Sequence, residues 1–151
     1  MLKSKILFQV TGSIAAYKAC QVISDLRKLN CEIRVIATPS ALEFIGRATL
    51  EGLSGNAVVD SVFTPGQMMS HISLERWADM IVICPATAKT INQLSTGTGD
   101  DLVSTLFLAH EFRKPLLIFP AMNTAMFSHP TVQDSLKKLA SWGAQVENTD
   151  E

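Results

Sequence analysis

Short apolar runs rich in β-branched residues alternate along the chain with longer stretches in which apolar positions recur every three or four residues. The runs at 6–10, 33–37, 80–84 and 116–119 read as strands with little or no polar face, and a weaker fifth falls at 144–147. Helical spacing covers 15–29, where Ala15, Ala19, Val22, Ile23 and Leu26 share one side and Asp25, Arg27 and Lys28 the other. Further helices are predicted over 40–44, 87–94, 101–111 and 131–142, with a short element over 72–78. The segment 50–69, carrying Gly52, Gly55, Pro65 and Gly66, reads as loops and short elements. Apolar strands need cover on both sides. The alternation therefore predicts an α/β fold, a doubly wound parallel sheet (Rossmann-like, flavodoxin-type) with helices on both faces.

Composition narrows this picture. The 151 residues suit one domain spanning 1–151, because a single core serves roughly 100 to 200 residues. Hydrophobic residues make up 47% and charged residues 18%, which supplies a core and argues against disorder. A net charge of −1 provides no broad basic surface, so no nucleic-acid partner is expected and any anionic ligand must be held locally. No apolar run approaches the roughly 20 residues of a membrane helix, and the opening Met1-Leu2-Lys3-Ser4-Lys5 lacks a signal-peptide pattern. No membrane association is expected. Cys20, Cys31 and Cys84 are odd in number and lie in apolar segments, which suits reduced thiols and a cytoplasmic location. None has metal-ligand spacing, and no metal is expected.

In doubly wound sheets, ligands collect beyond the carboxyl ends of the strands, where strand order reverses. Four strand ends are rich in small, polar or turn-forming residues: Thr11-Gly12-Ser13, Thr38-Pro39-Ser40, Pro85-Ala86-Thr87 and Pro120-Ala121-Met122-Asn123. At the first, Gly12 permits close backbone approach, Ser13 can cap the following helix, and the amides ahead of that helix suit an anion. An ordinary helix cap has the same composition. Thr38 and Ser40 add hydroxyls at a neighbouring strand end, and their convergence with Thr87 and Thr90 points to a mononucleotide. His71 precedes a short element and can move a proton near neutrality, although a lone loop histidine also serves as a surface residue. The Asn123 amide can hold a carboxylate or merely close a turn. Asp101 reads as a helix N-cap, and His110 and His129 are given no role.

Four segments carry a family resemblance: Val10-Thr11-Gly12-Ser13-Ile14-Ala15-Ala16-Tyr17-Lys18, His71-Ile72-Ser73-Leu74, Pro85-Ala86-Thr87-Ala88-Lys89-Thr90, and Pro120-Ala121-Met122-Asn123-Thr124-Ala125-Met126-Phe127. In order and spacing they resemble the homo-oligomeric flavin-containing cysteine decarboxylases, over almost the whole chain. The resemblance implies an FMN site built from Gly12, Ser13, Ile14, Thr38, Ser40, Thr87, Ala88, Lys89, Thr90 and Ala121. It implies His71 as the active-site histidine and Asn123 as the holder of the substrate carboxylate. It also implies a homotrimer or dodecamer with FMN at the subunit interface. The implied reaction is FMN-dependent decarboxylation of the cysteine moiety of phosphopantothenoylcysteine to give phosphopantetheine, in coenzyme A biosynthesis.

Lys89 departs from the asparagine that many relatives carry, and resembles the related flavin prenyltransferases. The coenzyme A branch has a cysteine-bearing flap beyond the last strand, and with the sequence stopping at Glu151 the chain is expected to lack it. Peptidyl-cysteine decarboxylation, flavin prenylation and a catalytically silent regulatory flavoprotein are the other functions this pattern accommodates.

Overall fold

The computed structural model describes residues 3–61 and 71–147, with the side chain of His71 outside the described part. Five strands, β1 (Lys5–Val10), β2 (Glu32–Ala37), β3 (Met80–Ala86), β4 (Leu116–Pro120) and β5 (Gln145–Val146), form one sheet in the order β2-β1-β3-β4-β5. All four pairings are parallel, with Ile6 opposite Ile33 on one side and opposite Met80 on the other. The predicted doubly wound α/β fold is the observed one.

The helices are α1 (Ala16–Lys28), α2 (Arg47–Ser54), α3 (His71–Trp77), α4 (Ala88–Thr96), α5 (Leu102–Leu108), α6 (Thr124–Phe127) and α7 (Pro130–Ser141). Alternate strand residues feed two cores. Phe8 and Val10 pack with Ile23 of α1, Val35 and Leu50 of α2 on one face. On the other face Leu7, Ile81 and Ile83 pack with Leu74, Ile91, Leu106 and Leu139 from α3, α4, α5 and α7. Full burial of such side chains contributes about 1.5–3 kcal/mol each, which offsets the entropy of ordering the chain.

Two expectations need correction. Residues 50–69 were expected as loops and short elements, yet α2 reaches Ser54 because Leu50 and Ser54, one turn apart, are both buried. Gly52 inside it is exposed, and Gly55 at φ 77° ends it in the left-handed conformation that glycine tolerates. The predicted helix at 40–44 is a single 3₁₀ turn, Ala41–Glu43. Pro65 and Gly66 lie outside the described residues.

Chain order reverses between β1 and β3. The chain leaves β1 for β2 on one side, then returns past β1 to β3 on the other, so the carboxyl ends of β1 and β3 flank a crevice that no crossover covers.

Candidate functional site

At that crevice Thr11 bridges the two strand ends, its buried Oγ1 donating to Pro85 O at 2.6 Å and accepting from the Thr87 amide at 3.1 Å. One side chain thus ties the ends of β1 and β3 together. Beyond it, α1 begins only at Ala16, and its N-cap, Ala15, makes no side-chain bond. The expected capping by Ser13 is therefore displaced: Ser13 Oγ accepts from the Ala15 amide at 3.1 Å, ahead of the helix. The amides of Gly12, Ser13 and Ile14 have no hydrogen-bond partner among the described residues. Three free donors before a 13-residue helix form an anion cradle, strengthened by the helix dipole.

The end of β2 closes against this cradle. A Cβ placed on Gly12 would stand 2.7 Å from Ser40 Cβ and 2.9 Å from the Ser40 carbonyl carbon, so only glycine fits. Thr38 Oγ1 lies 3.3 Å from Ser40 Oγ and accepts from the Ala41 amide at 3.1 Å. On the β3 side Thr87 caps α4, its Oγ1 accepting from the Thr90 amide at 3.2 Å and donating to Thr90 Oγ1 at 3.1 Å.

These turns enclose a cavity of about 300 Å3. It brings together Gly12, Ser13, Thr38, Ser40, Thr87, Ala88, Lys89, Thr90 and Ala121, nine of the expected cofactor residues. Lys89 is exposed and, among the described residues, supplies the only cation of this lining. Asp101, not expected at the site, also lines it, but its carboxylate is committed to a capping box, accepting from the Ser104 amide at 2.8 Å. That N-cap role was legible in the sequence. Its place at the cavity depends on α5 packing beside α4. Ala88, Ala121, Met122 and Met126 supply apolar walls.

Ile14 and Asn123 lie elsewhere. They line a neighbouring groove of about 630 Å3, which shares Ser13, Ala121 and Met122 with the cavity and continues past Val22, Cys84 and Phe119. Asn123 caps α6, its Oδ1 accepting from the Met126 amide at 2.9 Å. This fulfils the turn role, and it leaves Nδ2 with two donors for a ligand. Burial pushes the Cys84 thiol up to about 11, so the groove holds a neutral thiol rather than a nucleophile. His71 opens α3, and its side chain lies outside the described residues. His129 caps α7 through Nδ1.

The site fits FMN on its own geometry: free amides and hydroxyls for a phosphate, a glycine where backbone must approach closely, and apolar walls for a ring system. Comparison with known proteins agrees. Among solved structures, the FMN-dependent cysteine decarboxylase SpaF superposes with a TM-score of 0.89 at 33% identity, covering 98% of this chain and 85% of that one. A PPC decarboxylase variant complexed with pantothenoylaminoethenethiol gives a TM-score of 0.82 at 29% identity, covering 97% and 82%. The coenzyme A biosynthesis bifunctional protein CoaBC of Mycolicibacterium smegmatis is 42% identical over 144 residues, covering 95% of this chain and 34% of that protein. The chain thus spans about a third of the length of the curated relatives it matches. The profile of the family described as Flavoprotein matches residues 1–150, and the chain belongs to that family.

Proposed function

We propose that residues 1–151 form one FMN-binding unit that decarboxylates the cysteine moiety of phosphopantothenoylcysteine to give phosphopantetheine, a step of coenzyme A biosynthesis. The observation that carries this reading is the meeting of the anion cradle and the Asn123 amide across the shared Ala121-Met122 wall. Cofactor and substrate carboxylate would then lie side by side. When bound, FMN supplies a two-electron acceptor for the thiol-bearing carbon, which makes loss of the neighbouring carboxylate easy, and then a donor that returns those electrons with a proton to the enethiol left behind, so that phosphopantetheine forms with no net oxidation.

The chain's own groups do the rest. The Gly12 and Ser13 amides and the Thr38 and Ser40 hydroxyls hold the phosphate, with the Ile14 amide adjoining them from the groove side, while Thr87, Ala88 and Thr90 border the cavity on the β3 side. Lys89 provides positive charge, and Ala121, Met122 and Met126 exclude water. Asn123 Nδ2 orients the carboxylate for departure as CO2. His71, at the start of α3, takes and returns a proton.

A homotrimer, or a dodecamer of trimers, with FMN at the subunit interface is part of the same proposal. Ile14 is 81% and Tyr17 60% exposed beside the groove, which a second copy would cover. Cytoplasmic location is proposed from the three free thiols. Among the described residues no helix is long and apolar enough to cross a membrane.

The test is anaerobic incubation of the flavin-loaded protein with phosphopantothenoylcysteine, following CO2 release. A peptide ending in cysteine serves as the competing substrate. Release from the small molecule supports the reading, and release from the peptide alone overturns its substrate.

A further inference from the structure

Three polar side chains sit where the sheet should be apolar. Gln9 of β1, Glu75 of α3 and His110 beyond α5 are all buried, among Ile81, Ile83 and Phe107. His110 Nδ1 donates to Glu75 Oε1 at 2.6 Å, with the two side chains 2% and 8% exposed. The imidazole edge meets the Phe112 ring with centroids 4.7 Å apart, which fixes its plane. Lys114 Nζ donates to the carbonyls of Glu75 and, at 2.7 Å, Ala78, tying down the C-terminal end of α3. Gln9 Oε1 and His110 Nε2 are buried with no partner among the described residues, and both side chains line one small cavity of about 10 Å3. That is about the least space that holds a single water, and a buried water persists where at least two polar groups face it. One water can donate to Gln9 Oε1 and also pair with His110 Nε2, since a water both donates and accepts and so suits either protonation form of the ring.

We propose that this cavity is a built site for one water molecule, and that the relay Gln9–water–His110–Glu75 positions α3 on the sheet. Glu75 and His110 are positioning residues. The relay runs from β1, two residues before Thr11, to α3, whose first residue is His71, one turn before Glu75. It therefore links the strand that carries the anion cradle to the helix that carries the proposed proton carrier. Its bearing on turnover rests on the reading of His71 given above, whereas the water site and the seating of α3 do not.

The test compares the flavin-loaded protein with Gln9→Leu, Glu75→Ala and Glu75→Gln. A high-resolution crystal structure should place one water within hydrogen-bond distance of Gln9 and His110, and Gln9→Leu should remove it. Amide hydrogen exchange across α3 should speed up at least tenfold in Gln9→Leu and Glu75→Ala, and return to near the wild-type rate in Glu75→Gln, which keeps an acceptor for Nδ1–H. Decarboxylation should show kcat reduced about tenfold in the first two variants, with KM and the visible flavin spectrum unchanged. A dry cavity, or α3 exchange unaltered in both variants, overturns the relay. A wild-type protein that releases no CO2 overturns the functional reading instead, and hydrogen exchange still decides the relay.

Discussion

Gly12→Ala tests whether the anion cradle is the seat of the cofactor. The new methyl group would lie 2.7 Å from Ser40 Cβ, where ordinary contact begins at 3.4 Å, and 2.9 Å from the Ser40 carbonyl carbon. A side chain alone could rotate away, but the second clash is with backbone. That backbone is fastened on both sides, since the Thr38 amide donates to Val10 O at 3.1 Å and the Ala41 amide to Thr38 O at 3.0 Å. Forced repacking of this kind costs about 1–3 kcal/mol. For a domain of this size that corresponds to a fall in Tm of roughly 3–10 °C. Moving Ser40 also withdraws its hydroxyl from the cradle, and a hydrogen bond to a charged group is worth about 1.5–3 kcal/mol. The FMN Kd should therefore rise roughly 10- to 100-fold. Quenching of flavin fluorescence on titrating FMN with apoprotein measures the affinity, and thermal melts with and without FMN measure the stability. A Kd within twofold of wild type would refute the assignment of the phosphate to this cradle, and an unchanged melt would refute the clash.

Gly52→Ala is the contrasting change: Gly52 lies exposed inside α2 with nothing within 4 Å of an added Cβ, and should gain about 0.5–1 kcal/mol in urea titration. Thr11→Val leaves Pro85 O and the Thr87 amide without their shared partner, and should cost about 1–3 kcal/mol by the same titration. Asn123→Asp keeps the cap on α6 but sets a carboxylate against the substrate's; kcat/KM should fall roughly 100-fold while FMN affinity stays within twofold. Cys84, with its thiol raised from 9.0 to about 11, has about 100-fold less thiolate at neutral pH than an unshifted thiol and should react with iodoacetamide about tenfold more slowly, the higher nucleophilicity of its thiolate offsetting part of the loss. Its desolvation also sets a sign for stability: below pH 9 neither state is ionised, and from pH 9 toward 11 the unfolded chain ionises first, so stability falls as pH rises.

Much of the site was legible as four strand ends, because a parallel strand buried on both faces must be followed by a turn that satisfies free amides locally. Gly12, Thr38 and Thr87 were recognisable for that reason. The helix α2 was not, since Gly46, Gly52 and Gly55 weaken its local signal, and it is held by burial of Leu50 against the β1–β2 face. Asp101 was legible as a cap but not as a cavity residue, and Thr11 was legible as part of a turn but not as the tie between two strands.

The alternation of apolar runs and amphipathic stretches by itself determined the α/β class, the strand cores and the chemistry available at each turn, because these depend on the period of neighbouring residues. Which turns meet was decided by the tertiary structure. Thr11 reaches Pro85 across 74 positions, and His110 reaches Glu75 across 35. Those meetings depend on strand order and on packing between distant elements, and no local pattern encodes either. The same packing places Ser40 against Gly12 and assigns Ile14 and Asn123 to a groove beside the cavity, so that neighbours in sequence become parts of two adjoining sites.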